Sequence, residues 1–245
     1  MSGLSRSLIF PDWPAPANVR ACVTTREGGV SQAPFDTLNL GDHVGDQPGA
    51  VAANRQLLVT EFDIKPAWLR QVHGIEVVEA DPSRVAEADA SWSRTPGIAC
   101  TAMTADCLPA LFCDRAGTRV AAAHAGWRGL AAGVLEATVS SLELPPANVL
   151  AWLGPAIGPR NFEVGAEVRE AFIATHPQTA TAFVAGQQPG KFIADIYALA
   201  RLRLAAVGVE AVYGGGFCTL EDPRFYSYRR SARTGRFASL VWLES

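Results

Sequence analysis

Lysine is almost missing from this chain. Of 21 basic residues in 245, only Lys65 and Lys191 are lysines, a bias that reflects base composition rather than function. With a net charge of −3 and a pI near 5.8, the chain has no general attraction to nucleic acid or to an anionic membrane. Histidine is scarce too, at four residues, which excludes the many imidazole ligands of a multicopper oxidase. No apolar run approaches the roughly 18 residues of a membrane-spanning helix. The N-terminal stretch MSGLSRSLIFPDWPAP lacks a secretory apolar segment of about 7–15 residues, and Pro11 and Pro14 break it early. Five cysteines, an odd number at irregular spacing without a CxxC pair, form neither a disulfide framework nor a metal knuckle. Reduced thiols in a cytoplasmic protein are the simplest reading, and such thiols are free for chemistry.

What the chain does have is apolar substance. It is 49% hydrophobic and 18% charged, ample for a large core. Runs rich in β-branched residues predict strands over Val19–Thr25, Glu76–Ala80, Ile98–Thr104, Pro109–Cys113, Arg119–His124, Val149–Leu153, Val209–Tyr213 and Leu240–Leu243. Helices are predicted over Ala50–Phe62, Leu130–Leu142, Val164–Thr175 and Ile193–Ala206; in the second, Leu130, Val134, Ala137/Thr138 and Leu142 form an apolar stripe. No repeat, low-complexity tract or linker divides the chain, so residues 1–245 read as one α/β or α+β domain with mixed sheets.

The conspicuous segments lie where strands run out, the usual place for functional groups on a rigid scaffold. His73 in QVHG and His124 in AAAHAGWRG both stand at strand boundaries close to glycine, whereas His43 and His176 read as surface residues. Cys107 sits between Asp106 and Leu108–Pro109, a shaped loop, while Cys22, Cys100 and Cys113 lie among apolar neighbours as buried thiols do. Two imidazoles and a thiolate from three strand ends are the composition of an open catalytic zinc site. Asp106 then becomes a candidate proton shuttle. Without metal, His124 activating Cys107 gives a thiolate nucleophile instead. Copper is a further possibility, since His₂Cys with a weak methionine is a blue-copper composition and Met103 is near in sequence. A non-catalytic metal-binding module is disfavoured, because an open three-ligand site sacrifices the binding strength of a closed one.

Anion recognition is a second theme. The glycines of HAGWRGL lead into a helix start, and Arg128 in its first turn offers a bidentate clamp for phosphate or carboxylate. Arg224–Arg236 holds five arginines among Phe225, Tyr226 and Tyr228; a local anion or base-stacking site competes there with a solvated basic turn.

At these residues the chain resembles the YfiH family, once named polyphenol oxidase or laccase, and also purine nucleoside phosphorylase YfiH-type and peptidoglycan editing factor. The matching segments are TTREGGVS, LNLGDHVGD, QVHG, TADCLPALFCD, AAAHAGWRG, LGPAIGPRNFEVG, GGGFCT and FYSYRRSARTGR, in order over most of the chain. The resemblance implies a four-layer α/β/β/α fold like that of cysteine-hydrolase-like toxins, and zinc held by His73, Cys107 and His124. It implies phosphorolysis of adenosine, inosine, guanosine and methylthioadenosine, and deamination of adenosine. Within the matching segments Gln71, Asn39 and Arg229 join Arg128 as candidates for substrate or phosphate binding. The peptidoglycan-editing name implies a different reaction, hydrolysis of an amide in a cytoplasmic cell-wall precursor, which a Cys107/His124 nucleophile would suit.

Overall fold

The apolar runs in the middle of the chain fold as strands covered on both faces, which is why they read as near-continuous hydrophobic segments rather than alternating ones. The computed structural model describes residues 7–244, so residues 1–6 of the N-terminal stretch lie outside the described residues. In chain order it begins with β1 (Leu8–Ile9), β2 (Val19–Thr24), α1 (Pro48–Phe62), β3 (Lys65–Ala67), β4 (Leu69–Arg70) and β5 (Val77–Glu79). There follow β6 (Ala86–Glu87), β7 (Ala90–Ser93), β8 (Ile98–Thr104), β9 (Leu108–Asp114), β10 (Val120–Ala125), α2 (Trp127–Ala132) and α3 (Val134–Ser141). The remainder supplies β11 (Val149–Leu153), β12 (Glu163–Gly165), α4 (Ala166–Thr175), β13 (Phe183–Ala185), β14 (Lys191–Ala194), α5 (Ile196–Ala206), β15 (Ala211–Gly214) and β16 (Phe237–Leu243).

Two mixed sheets stack face to face. One has the order β1-β2-β16-β8-β3, the other β15-β11-β9-β10-β7-β5. Only β3, β5 and β15 pair in parallel within them, each at a sheet edge. Val23, Cys100, Leu111, Ala122, Leu150 and Val241 fill the space between the sheets. Strand alternation sends their neighbours outward. Phe112, Ala121 and Ala123 pack against Leu135, Leu199 and Leu204 of α3 and α5. On the opposite side Cys22, Met103, Leu240 and Trp242 pack against Leu58 of α1. The layer order is therefore helix, sheet, sheet, helix.

The elements depart from the sequence-based expectations in physically legible ways. The helix expected over Leu130–Leu142 is broken into α2 and α3 at Gly133, whose φ of 110° no helical residue adopts. The expected apolar stripe nevertheless stays buried at Leu130, Val134, Thr138 and Leu142, with Ala137 half-buried. The helix expected from Ile193 begins at Ile196, because Asp195 caps it by accepting from the Tyr197 and Ala198 amides and Ile193 is spent in β14. Val164 is likewise drawn into β12, ahead of α4. Between the helices, buried Arg203 of α5 pairs with Glu136 of α3 and donates to the Ala131 carbonyl at 3.1 Å.

Gly133→Ala forces an alanine into a left-handed conformation, at a cost of about 1–2 kcal/mol. Its new Cβ also comes within 3.4 Å of the Arg203 guanidinium. The urea midpoint should fall accordingly, with the slope unchanged; a variant as stable as the parent would show that the break is not required.

Candidate active site and metal centre

β4 and β6 run parallel, with Leu69 opposite Ala86 and Arg70 opposite Glu87, so the chain leaves both strand ends side by side. One end delivers the QVHG loop. The other delivers Asp89, a residue that sequence reasoning passed over. Asp89 is only 1% exposed, and its carboxylate accepts from the backbone amides of Val72 at 3.1 Å, His73 at 2.9 Å and Gly74 at 2.6 Å. It also bonds His124 Nδ1 at 2.8 Å, while the Asp89 carbonyl accepts from the His124 amide at 2.7 Å. His73 has a φ of 62°, a conformation that costs a side-chain-bearing residue on the order of 1–3 kcal/mol and persists only when neighbours enforce it. Three amides bound to one carboxylate enforce it here.

Cys107 arrives by a different route. β8 belongs to one sheet and β9 to the other, and the short turn between them carries the chain across. Asp106, at a φ of 94°, anchors this turn: its carbonyl accepts from the Ile157 amide at 2.9 Å. Its carboxylate accepts from Thr219 Oγ1 and from the Arg229 amide, both at 2.6 Å. Cys107 Sγ then lies 3.8 Å from His73 Nε2. One donor atom from each of His73, Cys107 and His124 falls within 4.8 Å of the others. The imidazoles meet edge to face at 4.7 Å. Two glycines of AHAGWRG make room for this convergence: a Cβ on Gly126 would sit 2.6 Å from His73 Cδ2, and one on Gly129 would sit 2.8 Å from the Gly74 carbonyl.

Charge follows geometry. Burial opposes ionisation of the Asp89 carboxyl, but bonds from His124, Gly74 and Val72 outweigh it and hold it below the usual carboxylate range. Burial also disfavours the His124 imidazolium, yet Asp89 and Cys107 raise its pKa to about 9. The Cys107 thiol is lowered to about 6 against the same desolvation, by His124 and then His73. Asp89 occupies Nδ1 of His124, leaving Nε2 as the nitrogen available for coordination. Two imidazoles and an acidic thiol, one imidazole fixed by a buried carboxylate, fit a metal such as zinc. Met103, the methionine considered for a copper set, also lines this cleft; it packs on the α1 side of its sheet, and its sulfur accepts from Arg55 at 3.8 Å.

The three candidate ligands open into a cleft of about 430 Å³ that Arg128, Arg229, Arg236, Tyr228 and Trp127 also line. Arg128 stacks on Trp127, with 4.4 Å from its guanidinium carbon to the ring centroid, and has no ion pair among the described residues. The helix start before it contributes less than its sequence implies, because the Gly133 break leaves α2 only six residues of aligned dipoles. Gln71 lines the cleft, but its amide is spent on the Met103 backbone through two bonds of 2.8 Å. Asn39 lies elsewhere, wholly buried; it bonds Gly41 and Asp46 and accepts from the Arg236 amide at 2.8 Å. His43 is exposed as expected, yet it stands on the cleft wall, as does Thr104, whose hydroxyl is buried without a hydrogen-bond partner among the described residues. A more open hollow of about 720 Å³ around Cys218 and Arg160 contains none of the three ligands.

Residues 20–244 match the family described as multi-copper polyphenol oxidoreductase laccase. The chain belongs to this family. Purine nucleoside phosphorylase PA4543 of Pseudomonas aeruginosa is 72% identical, over 96% of this chain and 98% of its own length. Purine nucleoside phosphorylase YfiH of Escherichia coli is 58% identical over 96% and 98%. Among solved structures, Neisseria meningitidis protein NMB0706 superposes with a TM-score of 0.95 at 54% identity, covering 98% of this chain and 100% of that one. YlmD from Geobacillus stearothermophilus gives 0.88 at 29% identity, over 95% and 94%. The YfiH resemblance and the mixed α/β architecture both stand on these likenesses.

Asp89→Asn keeps the volume but removes the charge that orients His124 and holds the QVHG loop. Zinc affinity, read by competition with a chromophoric chelator, should drop by roughly 10–100-fold, the usual cost of losing a carboxylate behind a metal-bound histidine. Unchanged affinity in a folded variant would remove Asp89 from the centre.

Proposed function

We propose that this chain is a zinc-dependent purine nucleoside phosphorylase acting on adenosine, inosine, guanosine and methylthioadenosine, with adenosine deaminase activity as a second capacity. The observation that carries the reading is the convergence of His73, Cys107 and His124 within 4.8 Å in the same cleft as Arg128. The purine nucleoside phosphorylase names of relatives at 72% and 58% identity support it. A cytoplasmic setting belongs to the reading, because it keeps the five free thiols reduced.

His73, Cys107 and His124 would hold the zinc, which supplies a Lewis acid and lowers the pKa of bound water to near 7. The protein's own groups supply the rest. Arg128, Arg229 and Arg236 draw phosphate into the cleft, and the guanidinium of Arg128, free of a carboxylate partner, clamps two of its oxygens. Asp106 carries the proton that deamination must move; Thr219 and the Arg229 amide fix where its oxygens point. Tyr228 and Trp127 offer apolar ring surface to the nucleoside.

A second reading rests on its own observation. Cys107 Sγ lies within 4.8 Å of a His124 ring nitrogen, and Asp89 stands behind that imidazole at 2.8 Å, an arrangement that would serve as the thiol–imidazole–carboxylate relay of an amide hydrolase acting on a cell-wall precursor. Metal removal separates the two. In the zinc reading, base release from adenosine stops with a chelator and returns with zinc, and Cys107 alkylates faster once the metal is gone. Cys22, Cys100 and Cys113, whose thiols burial pushes up, stay unmodified until the protein unfolds. Full activity in metal-free protein, abolished by alkylation, would replace the phosphorylase with the hydrolase.

Arg128 has a separate test. Arg128→Lys loses bidentate geometry, so the phosphate KM should rise about tenfold while zinc content stays constant. An unaltered phosphate dependence assigns Arg128 to packing on Trp127.

A further inference from the structure

The five arginines of Arg224–Arg236 divide sharply by what they touch. Arg224 pairs with Asp222 at 2.6 Å, and Arg230 spends its guanidinium on the carbonyls of Phe225, Thr219, Leu220 and Asp222. These two shape the loop. Arg229, Arg233 and Arg236 have no carboxylate partner among the described residues. Arg229 and Arg236 line the metal-site cleft, while Arg233 and Arg236 line a second hollow of about 390 Å³. The two cavities share one wall, made of His43, Tyr228 and Arg236.

That wall is built rather than incidental. The Arg236 amide donates to Asn39 Oδ1 at 2.8 Å, and its carbonyl accepts from Leu40 at 3.0 Å. Its side-chain stem lies across Gly41, where a Cβ would come within 2.8 Å of Arg236 Cγ, so only glycine admits it. One terminal nitrogen of the guanidinium, Nη1, bonds the Thr234 and Gly235 carbonyls; the other forms no bond among the described residues. Arg233 reaches the same hollow from a stack on Phe35 at 5.4 Å. The hollow has no Asp or Glu in its lining; the nearest in sequence, Asp42, faces Arg55 and His43 at 3.5 Å. Two guanidiniums without a carboxylate partner suit a phosphate ester, and the exposed Tyr228 ring between the cavities suits the sugar and base of a ligand that spans both.

We propose that this outer hollow is an anion subsite for the 5′-phosphate of a nucleoside monophosphate whose nucleoside part occupies the metal-site cleft. The inference rests on the nucleoside reading for the inner half of the ligand only. Calorimetry on the zinc-loaded protein tests it with adenosine and adenosine 5′-monophosphate. The monophosphate should bind at least about tenfold more tightly at low salt, as a charge-assisted contact implies. Arg233→Ala should erase most of that ratio, whereas Arg84→Ala, a charge loss at a distant exposed ion pair, should leave it intact. Equal affinities, or a ratio indifferent to Arg233, overturn the subsite and leave the phosphorylase reading standing. Binding of the monophosphate alone, dependent on Arg233, upholds the subsite and sinks the nucleoside substrate. Failure of both ligands to bind overturns both.

Discussion

The Asp89 carboxylate is the point on which the His73–Cys107–His124 cluster depends. It gathers three consecutive backbone amides of the QVHG loop and one ring nitrogen of His124 at distances between 2.6 and 3.1 Å. Taking a carboxylate out of water is unfavourable unless its lone pairs are filled, and here four hydrogen atoms fill them. One buried charge thus sets the unusual backbone of His73, the ring orientation of His124 and, through their shared neighbourhood, the acidity of Cys107. The folded core supplies the precision: parallel β4 and β6 deliver the loop and the carboxylate together, and β10 presents the histidine at its end.

Around that anionic node the cleft is cationic. Arg128, Arg229 and Arg236 face it without carboxylate partners, and the one acid on its wall, Asp106, has both oxygens occupied. Such a lining attracts an anion before any specific contact forms, and low dielectric inside the cleft amplifies the attraction. This explains how a chain of net charge −3 can present a binding surface of opposite sign.

The sheet core was legible because strands buried on both faces leave unmistakable runs: Ile98–Thr104 and Val149–Leu153 match their predicted limits residue for residue. Two-residue strands such as Leu69–Arg70 and Ala86–Glu87 carry no such signal, being held by partners distant in sequence. The same remoteness hid Asp89. An acid between alanines reads as a solvated turn, and only the pairing of β4 with β6 brings it beneath His73. The clustering of His73, Cys107 and His124 was suggested by their place at strand ends, since imidazole and thiol are rare and their settings distinctive. Asn39 and Gln71 looked equally polar from the sequence, but both are absorbed in holding backbone. Polar side chains that brace a site and those that touch its contents are chemically alike, and burial decides between them.

Asp106 links the thiol to the anion-facing loop. Its three acceptor bonds tie the Cys107 turn to the loops at Ile157, Thr219 and Arg229, the last of which lies within the arginine-rich segment. The thiol is therefore one residue from a junction shared with the anion-facing loop. Free-energy coupling between two sites is reciprocal. To the extent that an anion gathered by that loop stiffens the junction, it tightens the placement of the sulfur, and anything bound at the sulfur raises the loop's grip on anions by the same factor. Order of arrival would then be immaterial to the final affinity, and a metal and an anion bound there would report on one another across the cleft.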